Sequence, residues 1–285
     1  NDVICTISKL TDDIVRTVAP EVECHYVPHA IKTDTFKKLS PEIKEKLQQD
    51  NFPDWDHEKF IFFWNSRNAR RKMSSSIIWW FKEFLDEIGH DKAVLLMHTD
   101  PYDENGPNLQ AIVEELDLLD GQVLFSRQKV APHVLAAMYN MAACTINISD
   151  AEGFGLSVLE SLACGTPVIA TMTGGLQDQV TDGTEYFGVG IQPASKAVIG
   201  SQQVPFIHED RICKKDFIDA LHKMYSATKE EREAIGQKAI QHVMNHFTWE
   251  KYSERWVEIM TKIHNKYGSW DTRKNYKSWT FKEVA

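Results

Sequence analysis

Long apolar runs are missing from this chain of 285 residues. The most apolar short stretch, Ile77-Ile78-Trp79-Trp80-Phe81, falls far short of the roughly 20 residues that a membrane-spanning helix needs, so no transmembrane segment is expected. Positive charge is in deficit: Lys plus Arg total 32 against 41 Asp plus Glu, a formal net charge of -9. The mean field therefore repels nucleic-acid backbones and anionic lipid surfaces, which excludes a general nucleic-acid binder. A local group of cations can still act on one small polyanion, over a screening length of about 8 Å. Cysteine is scarce and unpatterned. Cys5, Cys24, Cys144, Cys164 and Cys213 are odd in number, widely spaced and never form C-x-x-C, which speaks against a disulfide scaffold or zinc ribbon and for a reducing, cytoplasmic compartment. The start, Asn1-Asp2-Val3-Ile4-Cys5, lacks a methionine, a basic n-region and an apolar h-region, so a preceding portion of the polypeptide is expected. Repeats and low-complexity tracts are also missing.

What is present is the composition of a folded protein, 42% hydrophobic, 26% charged and 11% aromatic. From Phe60 onward short apolar runs alternate with amphipathic stretches. Strands are expected at Phe60–Trp64, Ala93–Met97, Val123–Phe125, Thr145–Ile148 and Pro167–Ala170, with helices near 74–89, 107–118, 131–142 and 156–164. Strands alternating with helices imply an α/β architecture, a doubly wound parallel sheet. Ligands bind such sheets outside the carboxyl ends of the strands, so the segments following each strand are the place to look for chemistry. Residues 1–40 differ in character, with apolar stretches at Val3–Ser8 and around Tyr26–Pro28, and read as the last strands of a preceding domain. Residues 41–59 are polar, contain Pro41 and Pro53, and read as a linker, hinge or exposed helix. A less regular stretch runs from Ile191 to about Arg211. Helical patterns near 213–226, 229–246 and 248–265 then close a domain spanning 60–265, and 266–285 form a polar, aromatic tail.

The most informative segment runs from Asp150 to Ala170 and reads strand, glycine turn, helix, strand. Gly153 and Gly155 let the backbone approach a ligand, and the free amides of the helix that follows make an anion site suited to a diphosphate. Glu160, inside that helix, can accept two hydrogen bonds from a vicinal diol such as a ribose. Glu152, just before it, can reach sugar hydroxyls. Taken singly, each residue is explained by an ordinary turn, a helix cap or a solvated carboxylate; the combination is what points to a site. The run Trp64-Asn65-Ser66-Arg67-Asn68-Ala69-Arg70-Arg71-Lys72 follows the Phe60–Phe63 strand. It supplies the local group of cations able to act on one small polyanion. Arg70 and Arg71 read better as surface ion pairs.

From Glu152 to Glu160, through Gly153-Phe154-Gly155 and on to Ala163-Cys164-Gly165-Thr166-Pro167, the chain resembles retaining glycosyltransferases of family 4. Their hallmark is Glu, seven residues, Glu, on a GT-B fold. The resemblance covers about residues 1–265. It implies the Rossmann-like, C-terminal, donor-binding half of a GT-B enzyme, with most of the N-terminal acceptor domain lying outside the chain. It implies Glu152 on the donor hexose; Gly153, Phe154, Gly155 and Leu156 on sugar and phosphate; Glu160 on the ribose; and Arg67 and Lys72 on the diphosphate. Gly174 and Gly175 match the family's Gly-Gly loop, and Phe125 opens the loop that usually receives the nucleobase. His29-Ala30 stands where the family writes His-Gly, so His29 carries no catalytic role and Ala30 would be strained if that position needs a positive φ.

The implied activity is hexosyl transfer from a nucleoside diphosphate sugar to an acceptor hydroxyl, with GDP-mannose expected first and UDP-hexoses next. The implied partners are that donor and a glycan or other hydroxyl acceptor on the N-terminal domain; no metal or other cofactor is expected, and no Asp-x-Asp motif adjoins the donor segments. The isolated segment is expected to bind donor and catalyse weakly. An epimerase or phosphorylase of the same fold, or a binding module without turnover, is the alternative reading. Cys24, His25 and His29 lie close in sequence without a fourth ligand of familiar spacing, and Trp79, Trp80, Trp249 and Trp256 read as packing residues.

Overall fold

The computed structural model describes residues 3–53, 59–269 and 271–274. Along the chain lie β1 (Val3–Thr6), α1 (Lys9–Val18), β2 (Glu23–Tyr26), α2 (Pro41–Asn51), β3 (Phe60–Asn65), α3 (Ser74–Ile88), β4 (Ala93–His98), α4 (Leu109–Glu115), β5 (Val123–Ser126) and α5 (Pro132–Met141). They continue with β6 (Cys144–Asn147), α6 (Leu156–Ala163), β7 (Val168–Thr171), α7 (Gln177–Val180), β8 (Gly188–Ile191), β9 (Ser195–Val198), β10 (His208–Arg211), α8 (Lys214–Ser226), α9 (Lys229–His246) and α10 (Trp249–Tyr267). Among the described residues no helix is long and apolar enough to cross a membrane.

Six parallel strands form the central sheet in the order β5-β4-β3-β6-β7-β8. Helices cover both of its faces, so its inner strands are apolar on both sides and read as unbroken hydrophobic runs. Along β3, Ile61 and Phe63 enter the core built with α5, α6 and α9, whereas Phe60, Phe62 and Trp64 enter the opposite core with α3, α4 and α8, as the two-residue period of a strand requires. This is the doubly wound α/β sheet expected from the sequence. The sheet grows from β3 in both directions, through β4 and β5 on one side and β6 to β8 on the other. The winding therefore reverses between β3 and β6, and in sheets of this kind ligands bind outside the carboxyl ends of the strands at such a reversal.

Residues 3–26 form a strand-helix-strand unit with a separate two-stranded parallel sheet, Val3 paired with Glu23 and Thr6 with Tyr26. Its strands were expected; α1 was not, although Leu10, Ile14 and Val18 recur at the four-residue spacing of one helix face; all three are exposed. The unit is fastened to the larger sheet at Asp178, whose Oδ2 accepts from the Lys9 amide at 2.8 Å and the Tyr26 hydroxyl at 3.2 Å.

Of the stretch expected as linker or exposed helix, Pro41–Asn51 form α2, capped by Ser40 and tied to α5 through Gln48 Nε2 and the Met141 carbonyl at 3.1 Å. Residues 54–58 lie outside the described residues, as do Trp270 and 275–285 of the expected tail. The less regular stretch after Ile191 contains the antiparallel hairpin β9–β10. Edge strand β8 escaped the sequence reading because two of its four residues are glycine; a Cβ on Gly188 would stand 1.9 Å from the Val168 carbonyl. Trp80 packs against Phe217 as expected, but Trp79 and Trp249 are each 49% exposed and are corrected to surface positions.

Helix α9 crosses the end of α6 at Gly236, where an added Cβ would lie 2.1 Å from the Gly165 carbonyl oxygen. Two backbones meet there and neither can yield locally. Gly236→Ala is expected to destabilise the fold by about 1–3 kcal/mol, read as a lower urea midpoint at unchanged slope.

Candidate functional site

β3 and β6 are neighbours, with Phe62 beside Cys144 and Phe63 beside Thr145. Continuing that register sets Asn65 next to Asn147, the last residue of each strand, at the carboxyl edge where the winding reverses. The loops leaving these two strands are laced together. The Asp150 amide donates to the Arg71 carbonyl at 2.8 Å, and Arg71 NH1 donates to the Ala151 carbonyl at 2.7 Å. After β3 the chain makes a 3₁₀ turn, Arg70–Lys72, ended by Met73 in the left-handed conformation at φ 56°. That reversal aims Lys72 inward, where it is buried.

Lys72 Nζ binds Glu152 Oε1 directly. The same oxygen accepts from Asn147 Nδ2 at 3.3 Å and stands 3.2 Å from Ser149 Oγ, while Arg71 NH1 lies 3.5 Å from Oε2. Burial pushes the Lys72 ammonium below its ordinary value against the pull of Glu152. The two residues singled out from separate sequence motifs thus form one buried ion pair.

On the other side of the turn, Glu160 of α6 faces Asn65 and Tyr139. The Tyr139 hydroxyl donates to Glu160 Oε2 at 2.7 Å and accepts from Asn65 Nδ2 at 2.8 Å. Burial raises the Glu160 carboxyl from its ordinary 4.5 to about 7, a rise that the Tyr139 hydrogen bond opposes. Its Oε1 has no hydrogen-bond partner among the described residues, so one acceptor atom is left for a ligand.

Between the two carboxylates the backbone turns at Gly153-Phe154-Gly155. Gly155 caps α6 at φ 91°, a conformation costly for any residue with a Cβ. The amides of Gly155, Leu156 and Ser157 find no acceptor among the described residues, as expected at a helix start. Phe154 itself is buried, its ring edge-on to His29 at 5.2 Å and to Phe247 at 6.0 Å; it contributes backbone to the site while its side chain holds the turn to the core. Leu156 is half exposed. The Gly174-Gly175 turn lies directly on this backbone. The Gly175 amide donates to the Glu152 carbonyl at 3.3 Å, and a Cβ on Gly174, whose φ is 49°, would stand 1.7 Å from that oxygen.

The structure does not bring every expected residue into contact with this group. Arg67 projects from the loop after β3 and is gripped by Asp103, with Nε at 2.7 Å and NH2 at 3.3 Å, which holds that carboxyl well below its ordinary range. Arg70, expected as a surface pair, instead makes two bonds of 2.9 and 2.6 Å to the buried Glu209 of β10, and Arg211 bridges Glu209 and Asp150. Phe125 lies within β5, not in the loop after it, and packs partly buried against the core. Ala30 shows no positive φ. Cys24 Sγ faces Asp12 and His25 faces Glu23. Among the described residues no group of three or more His, Cys, Asp or Glu is arranged to hold a metal ion.

Sequence reasoning missed Asn65, Asn147, Ser149 and Tyr139. Asn65 and Asn147 had a readable signal, a polar residue closing an apolar strand at the carboxyl edge. Tyr139 had none, since it sits in α5 like any core aromatic.

The profile of the glycosyl transferases group 1 family matches residues 46–201. A D-inositol 3-phosphate glycosyltransferase from Paenarthrobacter aurescens is 32% identical over 145 residues, which is 50% of this chain and 29% of that protein. The chain therefore spans under a third of that relative's length. Among solved structures, sucrose-phosphate synthase from Thermosynechococcus elongatus superposes with a TM-score of 0.73 at 21% identity, over 93% of this chain and 59% of the other. Anabaena HepE, solved with UDP and glucose, gives 0.67 at 16% identity over 91% of this chain and 63% of the other. These two likenesses are likenesses of fold.

The contact between the two glycine turns gives a direct test. Gly174→Ala must push the Glu152 backbone away from Lys72 or unfold the turn. The expected result is a drop of about 1–3 kcal/mol in stability, with shifted amide resonances at Glu152–Gly155 by NMR; a spectrum unchanged there would contradict the packing.

Proposed function

We propose that this chain, which belongs to the glycosyl transferases group 1 family, holds a nucleoside diphosphate hexose for transfer of the hexosyl group to an acceptor hydroxyl. The observation that carries the reading is the placement of Glu152 and Glu160 on either side of the free amides that start α6, with Lys72 beside the first acid, at the reversal point of the sheet. The diphosphate would lie on those amides and on Lys72. Arg67 is fixed by Asp103 through Nε and NH2, which leaves NH1 for a second phosphate contact. Glu160 Oε1 would accept from the ribose diol, and Glu152 would meet the hexose.

In the proposed reaction the bond from the sugar's anomeric carbon to the leaving phosphate oxygen breaks while the acceptor oxygen bonds to the same carbon. The acceptor proton passes to the departing diphosphate on the same face, so the configuration is retained, as in family 4. Lys72 and Arg67 hold the growing charge more strongly than the ground-state charge, which is what lowers a barrier. On this reading neither a protein nucleophile nor a metal is needed. The acceptor and its binding surface belong to the whole protein. GDP-mannose and UDP-hexoses are the proposed donors.

Calorimetry with GDP-mannose, UDP-glucose and the bare diphosphates tests this. Glu152→Gln is expected to weaken the sugar nucleotide about tenfold more than the nucleoside diphosphate; equal losses would make Glu152 structural. The carboxyl of Glu160 sets the pH dependence. The ionised form accepts both diol hydrogen bonds, so nucleotide affinity is expected to rise as pH rises through about 7 and then level off, and Glu160→Gln should flatten that profile. Stability runs the other way. Between 4.5 and 7 the folded state holds a proton that the unfolded chain has lost, so this group's contribution falls as pH rises across that window.

A further inference from the structure

At the opposite edge of the sheet, beside the amino ends of β3, β6 and β7, lies a cavity of about 470 Å³ bounded by α2, α5 and the start of α9. Lys44 from α2 and Arg232 from α9 both line it. Lys44 forms no ion pair among the described residues, and its ammonium is pushed below its ordinary value first by burial and then by the neighbouring Lys38. Arg232 lies over the Phe60 ring at 4.9 Å and donates to the Ala227 carbonyl. It too forms no ion pair among the described residues, and burial lowers it. Lys229 lines the same hollow, and Lys38 meets Glu233 only at 3.8 Å. Charges withdrawn from water are ordinarily paired. Glu45 and Glu233 line the recess as well, and Glu233 pulls on Lys44, but five cationic side chains stand against these two carboxylates in a chain whose net charge is -9.

We propose that this cavity is a binding site for a small, multiply charged phosphate ester, contacted chiefly by Lys44 and Arg232, with Lys38 and Lys229 at its rim. The strands separate it from the carboxyl edge by roughly 15–20 Å, so its ligand takes no part in the reaction proposed above, and the two readings stand or fall separately. Binding there joins α2 to α9 and stabilises the folded state by mass action.

Inorganic tripolyphosphate is the probe, titrated calorimetrically at low salt into the wild type, Lys44→Met, Arg232→Gln and Lys72→Met. The expected result is a saturable site that weakens at least tenfold in Lys44→Met and in Arg232→Gln and persists in Lys72→Met. Lys44→Met keeps the alkyl stem and removes one crowded charge, so in phosphate-free buffer its melting temperature should equal or exceed the wild type's, while the rise produced by tripolyphosphate should shrink. Unchanged affinity in Lys44→Met, loss of all binding in Lys72→Met alone, or a melting temperature several degrees lower in Lys44→Met without ligand would each overturn the proposal.

Discussion

Two backbone turns press against each other at the carboxyl edge of the sheet, Glu152–Gly155 from one strand and Gly174-Gly175 from the next, with no side chain between them. The Gly175 amide bonds the Glu152 carbonyl, and the room for that contact exists only because position 174 lacks a Cβ. This contact fixes where Glu152 sits. From there the Glu152 side chain meets Lys72, the amides of α6 stay open, and Glu160 emerges on the far side of the turn against Tyr139 and Asn65. A shift of an ångström at the glycines would propagate into each of these, because a close-packed interior has no slack to absorb it.

The cations around this edge are already engaged. Arg67 holds Asp103, Arg70 holds Glu209, Arg211 holds Asp150, and Lys72 holds Glu152. Asp150 shows what this arrangement resists: burial raises its carboxyl to about 6 even with Arg211 beside it. A charge-balanced edge lets a strongly acidic chain keep a basic cluster in place without a bound anion. The basic recess at the amino edge is organised differently, with Lys44 and Arg232 short of carboxylate partners.

The small β1-α1-β2 unit belongs to the same construction. Asp178, just after the Gly174-Gly175 turn, accepts from both Lys9 and Tyr26, and Ile7 Cδ1 comes within 3.7 Å of where a Cβ on Gly153 would be. The glycine turns are therefore clamped between two sheets, and the family profile, which begins at residue 46, does not include one side of that clamp.

Much of the fold was written in local pattern. Apolar runs buried on both faces announced β3, β4 and β6, and the Glu152–Gly155–Glu160 spacing announced the turn and its helix, because strand burial and glycine conformation act within a few residues. What failed locally were elements whose stability comes from elsewhere: β8, weak in side chains but hydrogen-bonded to β7; α1, whose apolar stripe faces outward; and β10, which buries Glu209 on Arg70. The sequence alone determined which residue types could hold an anion and roughly where along the chain they lie. Only the tertiary structure decided that Lys72 pairs with Glu152, that Arg67 belongs to Asp103, and that Tyr139 and Asn65 hold Glu160. Such pairings join residues 21 to 95 positions apart, and nothing but the order of strands in the sheet brings them within hydrogen-bonding reach.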